Sequence, residues 1–243
     1  MSKHLNYSLI SASLLLSSLS AQAVEDTWTS RVALYGWATS VDTTAAHPDL
    51  RPVTVERSFS DIFKSVDFAA MGLLETRKGD YGILLDGMYV NMKDGASAGP
   101  LSAALELDLT TLMLAGQYRI QQTHRSYSDL MIGVRGWSVK TDISIDPINI
   151  QDNRSKQWAD LMIGAKGIYN LDQHWFTSWS AMVGGFDLSS NWVSDIHVGM
   201  GYRLNEHSAI QFGYRYMDVD YSQGNFDIDT KLGGVLLGID YRF

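Results

Sequence analysis

The last stretch of the chain, Lys231–Phe243, reads KLGGVLLGIDYRF and constrains the fold more than any other. From Val235 every second residue is apolar or aromatic: Val235, Leu237, Ile239, Tyr241 and Phe243. Leu236, Gly238, Asp240 and Arg242 stand between them. A period of two is that of a β-strand. A face carrying Asp240, Arg242 and a glycine makes a poor core for a soluble sheet. Both faces are satisfied when one meets hydrocarbon and the other a polar interior. The final strand of a soluble β-sandwich has the same period, so the rest of the chain must decide.

The N-terminus reads as an export signal. Lys3 and His4 precede an apolar run, Leu9–Leu19, that falls short of the ~20 residues a helix needs to cross a bilayer. Ala21-Gln22-Ala23 then offers small residues around a cleavage site, so residues 1–23 are expected to be removed, leaving Val24–Phe243 as one domain. After Ala23 no apolar run is long enough for a transmembrane helix. The absence of cysteine excludes a disulfide framework and a lipidated N-terminal cysteine.

Aromatic residues are plentiful, with 12 Tyr, 7 Trp and 8 Phe, as two interfacial girdles require. Mean hydropathy is close to zero, as expected when polar interior positions offset lipid-facing ones. The net charge of −8 becomes more negative once Lys3 is removed, which argues against a nucleic-acid partner.

Ten strands are predicted: Trp28–Thr39, Asp67–Arg77, Tyr81–Met92, Ala103–Ile120, Tyr127–Lys140, Ser155–Tyr169, His174–Asp187, Asn191–Leu204, His207–Asp220 and the C-terminal stretch. Eight or twelve remain open, because strand boundaries are the weakest part of such a reading. Short connections (Lys78–Asp80, Gln121–Ser126, Asn170–Gln173, Asn205–Glu206) alternate with mostly longer ones (Ser40–Val66, Lys93–Ser102, Thr141–Arg154, Tyr221–Asn225). Periplasmic turns and outer loops produce that alternation. Only the connection around Ser189-Ser190 is short where a loop is expected.

Ala103–Ile120 has two phases. Leu105, Leu107 and Leu109 share a face in its first part, while Leu112, Leu114 and Tyr118 share the opposite one later. A β-bulge near Thr110-Thr111 would reconcile them. Without it, Glu106 and Asp108 would face lipid.

In nearly every strand the face opposite the apolar one is charged. The inward set comprises the basic Arg31, Arg77, Arg119, Arg135, Lys166, Arg203, Arg215 and Arg242. Its acids are Glu75, Asp86, Asp129, Asp160, Asp195 and Asp240, with His197 on the same side. Buried ions must be paired, so near balance of sign implies salt bridges across a narrow lumen. A ten-strand barrel is close to the size side chains can fill. The reading is therefore an all-β, closed, up-and-down transmembrane barrel, its lumen either a narrow charge-lined channel or a polar core of structural purpose.

Ser58–Val66 interrupts the strand pattern. Phe59, Ile62, Phe63 and Val66 follow helical spacing, and Ser58 with Asp61 forms a capping-box pattern. A short helix is predicted there, as a lid on the barrel mouth or lying against the outer leaflet.

Catalytic chemistry finds little support. His47, near Asp42 and Asp49, is the one histidine placed at the outer rim; His124, His174 and His207 fall at periplasmic turns and His197 inside. No His or Cys spacing suggests a metal site, and no cofactor is expected. The outer acids Asp218, Asp220, Asp227 and Asp229 could hold cations bridging lipopolysaccharide, although such clusters are usually only solvated.

Leader, alternation and terminal phenylalanine together resemble small bacterial outer-membrane barrels of the OmpA-like and OmpW-like kind across Val24–Phe243. The resemblance implies outer-membrane lipids and lipopolysaccharide as surroundings, a monomer, and a C-terminal strand (Ile239, Tyr241, Phe243) read by the barrel-assembly machinery. Alternative functions within that class are an enzyme acting on lipid or peptide and a surface-binding barrel.

Overall fold

The computed structural model describes residues 27–47, 50–98, 101–146, 150–223 and 226–243. The expected leader, Met1–Ala23, lies outside the described residues. Among them run β1 (Trp28–His47), β2 (Leu50–Arg57), α1 (Phe59–Ser65), β3 (Val66–Lys78), β4 (Tyr81–Ala98) and β5 (Leu101–Gln122). There follow β6 (Ser126–Asp146), β7 (Ile150–Asn170), β8 (Trp175–Gly185), β9 (Trp192–Arg203), β10 (Ser208–Gln223) and β11 (Phe226–Arg242).

From β3 to β11 each strand pairs antiparallel with the next, and β11 returns to β1 from Arg31↔Arg242 to Ala46↔Asp227. Lower β1 pairs with β3, completing a closed barrel of ten strands. Closure pairs the first strand of the ring with the last. At the seam the Ser30 and Phe243 amides each donate to the other residue's carbonyl at 3.0 Å, so the terminal residue is bonded into the barrel.

The outer face carries the belt expected of a lipid-facing wall. Ile132, Val198, Phe212 and Leu237 each leave more than half their surface open. Trp28, Tyr81, Tyr118, Tyr169, Trp175, Tyr202 and Tyr241 mark the end near the short turns, several in ring contact: Tyr81 with Tyr118 at 5.2 Å and Trp175 with Tyr202 at 4.9 Å. Three of those turns share one device. Asp172 accepts from the His174 and Trp175 amides at 2.8 and 2.7 Å, Asn205 from His207 and Ser208 at 2.9 and 2.8 Å, and Thr123 from Arg125 and Ser126 at 3.2 and 3.0 Å. A side-chain oxygen two or three residues before an amide substitutes for a backbone acceptor, which is why Asx and Thr recur in turns.

Three expectations are corrected. The long connections are mostly strand. A membrane crossing takes ~9–11 residues per strand, yet β5 has 22 and β6 and β7 have 21 each, so the barrel stands well above the bilayer on that side. It is low at β8 and β9, with 11 and 12 residues, where the connection was unexpectedly short.

The bulge near Thr110-Thr111 does not exist. Thr110 and Thr111 pair in continuous register with Tyr89 and Met88 on one side and Ser138 and Trp137 on the other; the irregularity of β5 lies between Arg119 and Gln121. Glu106 and Asp108 therefore do point outward, but above the hydrocarbon. There Asn91 donates to both, at 2.9 and 2.7 Å, and Tyr89 to Asp108 at 2.9 Å. Beyond the bilayer water replaces lipid outside, so the same strand turns its leucines inward.

Finally, Ser40–Val66 is not a simple loop. β1 continues to His47, and β2 folds back along it from His47↔Leu50 to Val41↔Arg57. α1 follows with Ser58 as N-cap, its Oγ taking the Asp61 amide at 3.4 Å. The helix packs on β1 and β4 rather than over the barrel mouth, and Val66 ends it as the first residue of β3.

Candidate functional site

Inward positions on the lower and middle strands carry ionic side chains, and the barrel brings them together in three groups. In the first, Arg31 of β1 donates to Glu75 of β3 at 3.0 Å and to Asp240 of β11 at 3.2 Å. Lys166 of β7 reaches the other Glu75 oxygen at 2.5 Å, and Gln211 donates to Asp240. In the second, Asp129 of β6 accepts from Arg77 at 2.5 Å and from Arg119 at 2.6 Å. The Arg119 guanidinium also lies 4.0 Å from the Tyr127 ring.

The third group spans the lumen. Asp195 of β9 accepts from Arg135 of β6 at 2.6 Å and from Arg215 of β10 at 2.8 Å. Arg215 continues to Asp86 of β4 at 3.2 Å, and the Tyr35 hydroxyl donates to Asp86 at 2.7 Å. Arg135 and Asp129 are essentially without exposure. Multiple partners per ion are what such burial requires, since removal from water costs several kcal/mol per charge.

Asp160 lies across from Arg135 on β6 but is held by neutral donors. It accepts from Trp137 Nε1 at 2.9 Å, from the Ser190 amide at 2.8 Å and from Ser190 Oγ at 2.8 Å. Its role is to tie the β8–β9 connection to the wall. Phe186 and Asp187 in that connection hold φ of 51° and 57°, the left-handed region that non-glycine residues rarely occupy. Arg203 and Arg242 stay at the rim near the short turns. Arg203 bonds Asn170 at 2.5 Å and covers the Phe176 ring at 4.7 Å; Arg242 is exposed. His197 lies against Gly213, where a Cβ would come within 2.7 Å of its ring.

Between the ions the interior is apolar, with Met113 level with Asp86 and Arg135, and Met182 and Met217 level with Asp195. Met88, Met113, Met131, Met162, Met182 and Met217 are all buried, and Arg135 points toward the sulfurs of Met113 and Met217 at 3.3 and 3.7 Å. Trp137, Trp158 and Tyr221 stack over them with centroid separations of 5.8 and 4.4 Å. Unbranched methionines suit such irregular space. A cavity of about 150 Å³ remains beside the ions, lined in part by Arg31, Lys166, His197 and Gln211.

Of the neutral partners, alternation puts Tyr35, Gln117 and Gln211 on the inward face, while nothing in the sequence marks Ser190 as a partner of Asp160. His174 and His207 stack on Tyr202 and Tyr241 in the aromatic belt near the short turns, and the side chain of His47 is outside the described residues. Of the outer acids, Asp220 accepts from Asn191 at 3.0 Å and Asp229 takes Lys231 at 3.5 Å.

Among solved structures the chain is similar to the outer membrane protease OmpT from Escherichia coli, with a TM-score of 0.60 and 12% identity over 92% of this chain and 99% of that one. The fold is that of an outer-membrane β-barrel. More distant are the transport unit of the autotransporter AIDA-I from Escherichia coli (TM-score 0.46, 11% identity, 95% and 94% covered) and the attachment invasion locus protein Ail of Yersinia pestis (TM-score 0.36, 12% identity, 89% and 98% covered). No protein-family profile matches the chain, and no curated protein does. Likeness at this identity concerns the barrel, and the residues inside must speak for themselves.

Proposed function

We propose that this chain is an integral outer-membrane barrel whose lumen is sealed by fixed ions, and that it serves the envelope as a structural barrel rather than as a channel. The supporting observation is the ionic chain Arg135–Asp195–Arg215–Asp86, which runs from β6 through β9 and β10 to β4 and occupies the cross-section. Charges of both signs locked to each other leave a permeating ion no fixed charge to replace its hydration. Methionines packed between these ions and the Trp137–Trp158–Tyr221 stack above them add an apolar block. In this reading Met1–Ala23 is the leader and the strand ending at Phe243 is the assembly mark.

Planar-bilayer recording tests the proposal. The purified barrel should give no conductance step above leak. A variant carrying Arg135→Ala, Asp195→Ala and Arg215→Ala together should give small, frequent steps. Steady openings of the unaltered barrel would restore the narrow-channel reading.

A further inference from the structure

The wall is interrupted at one place where membrane should lie outside it. β1 pairs with β3 only up to Leu34↔Gly72, and with β2 only from Val41↔Arg57. Between these points Tyr35–Ser40 has no strand on that edge, although the opposite edge pairs with β11 from Tyr35↔Gly238 to Ser40↔Gly233. In an antiparallel strand every second residue turns its backbone groups toward a given edge. The level is fixed by neighbours: Tyr241 of the periplasmic girdle pairs with Val32, and the exposed Leu237 and Val235 flank the gap. It therefore lies at the depth of the outer leaflet, where unpaired backbone is tolerated only beside protein or a cavity.

A cavity of about 550 Å³ fills the gap. Its inner wall is Trp37, Met88, Leu109 and Leu232, which belong to the lumen core. Its outer margin is Phe212, Val235 and Leu237, which belong to the lipid-facing belt. Phe59, Ile62 and Phe63 of α1 form the remaining side, with Phe63 69% exposed. One apolar surface thus leads from the hydrocarbon through the wall to the interior, and a helix with apolar side chains covers it.

We infer that this opening between β1 and β3 is a binding site for a single hydrocarbon chain that enters sideways from the bilayer, with α1 as its cover. The volume falls within the ~300–1,000 Å³ of ligand pockets. It is several times the ~150 Å³ of an engineered apolar cavity that stays dry and takes benzene. An ion or sugar would lose its hydration there and gain no partner. A methylene chain already in lipid loses nothing on entering and fills the space beside Trp37 and Met88. The site stands on the wall gap, not on whether the lumen conducts.

Gly36 gives a direct test, because it lines the cavity and a Cβ built there meets nothing within 4 Å. Gly36→Phe therefore sets a ring at the mouth of the site with no clash at its Cβ. Gly116→Phe is the control, a β5 position on the lipid face whose Cβ would approach only the Ile132 carbonyl, at 3.9 Å. Both variants and the unaltered barrel are placed in phosphatidylcholine vesicles with stearic acid or phosphatidylcholine spin-labelled near the chain end. Electron paramagnetic resonance should show a strongly immobilised component for the unaltered barrel and Gly116→Phe, about tenfold weaker for Gly36→Phe. Signal with the phospholipid identifies a bilayer lipid as occupant; signal with the fatty acid alone identifies the free acid. No immobilised component, equal components in all three barrels, or equal loss in both variants overturns the site. If Gly36→Phe does not assemble, Ile62→Cys supplies the only thiol in the chain. Its labelling by a maleimide should slow when stearic acid is added, and an unchanged rate overturns the proposal equally.

Discussion

Arg135 and Asp195 meet across the lumen, Nη2 to Oδ2 at 2.6 Å, although β7 and β8 separate their strands around the wall. Asp195 also holds Arg215, so one carboxylate binds two guanidinium groups, and Asp86 supplies the second negative charge. Asp195→Leu strands Arg135 among methionines and should cost about 3–5 kcal/mol, as removal of one partner from a buried pair does. Arg135→Met together with Asp195→Leu leaves Arg215 still paired with Asp86. The double variant should then lose less than the single one. Urea unfolding in vesicles measures the order, and a double variant weaker than the single one contradicts the pairing.

Ile239 lies on the lipid face of β11, about half exposed. Ile239→Arg should destabilise the barrel by ~2–4 kcal/mol if it sits near the midplane. Glu106 points outward too, but above the bilayer and beside Lys93 at 3.7 Å. Glu106→Gln should change stability by less than ~1 kcal/mol, the range of an exposed ion pair. Folding of both variants into the same vesicles locates the upper edge of the lipid belt.

Asp160→Ala removes the acceptor for the Trp137 indole and for two donors of Ser190. Leaving such buried groups unsatisfied costs about 1–3 kcal/mol each. The β8–β9 connection, already carrying Phe186 and Asp187 in the left-handed region, should then open first. Limited proteolysis should cut within residues 186–191 of the variant and spare the unaltered barrel.

Asp172 is held below the usual carboxylate range by the amides of Trp175 and His174, which bond its charged form. A depressed native pKa means that this clamp contributes fully above the unfolded value, ~3.9. The contribution is lost as pH falls through the native value. The Asp172 titration midpoint, read by NMR, should lie below that of an exposed aspartate. Asp172→Ala should speed amide exchange at His174 and Trp175 at neutral pH, while Asn205→Asp in the equivalent turn should not.

How legible the chain is depends on which residues one asks about. Alternation places Arg31, Glu75, Asp129 and Asp195 inside, because a strand's side chains obey a period of two whatever surrounds it. Helical spacing finds α1, because its cap and its apolar residues are local. Partners are not local. Nothing in sequence tells that Asp129 takes Arg77 and Arg119, that Asp160 takes Trp137 and Ser190, or that Arg203 and Arg242 stay at the rim.

The sequence by itself determined a barrel, which face of each strand meets lipid, and the helix after Ser58, all consequences of neighbours a few residues apart. Only the tertiary structure decided how far the strands rise above the membrane, and so that Glu106 and Asp108 are wet rather than buried in hydrocarbon. It alone shows the parting of β1 from β3. Both depend on the level at which distant strands are held beside each other, and strand register is a property of the closed ring rather than of any segment in it.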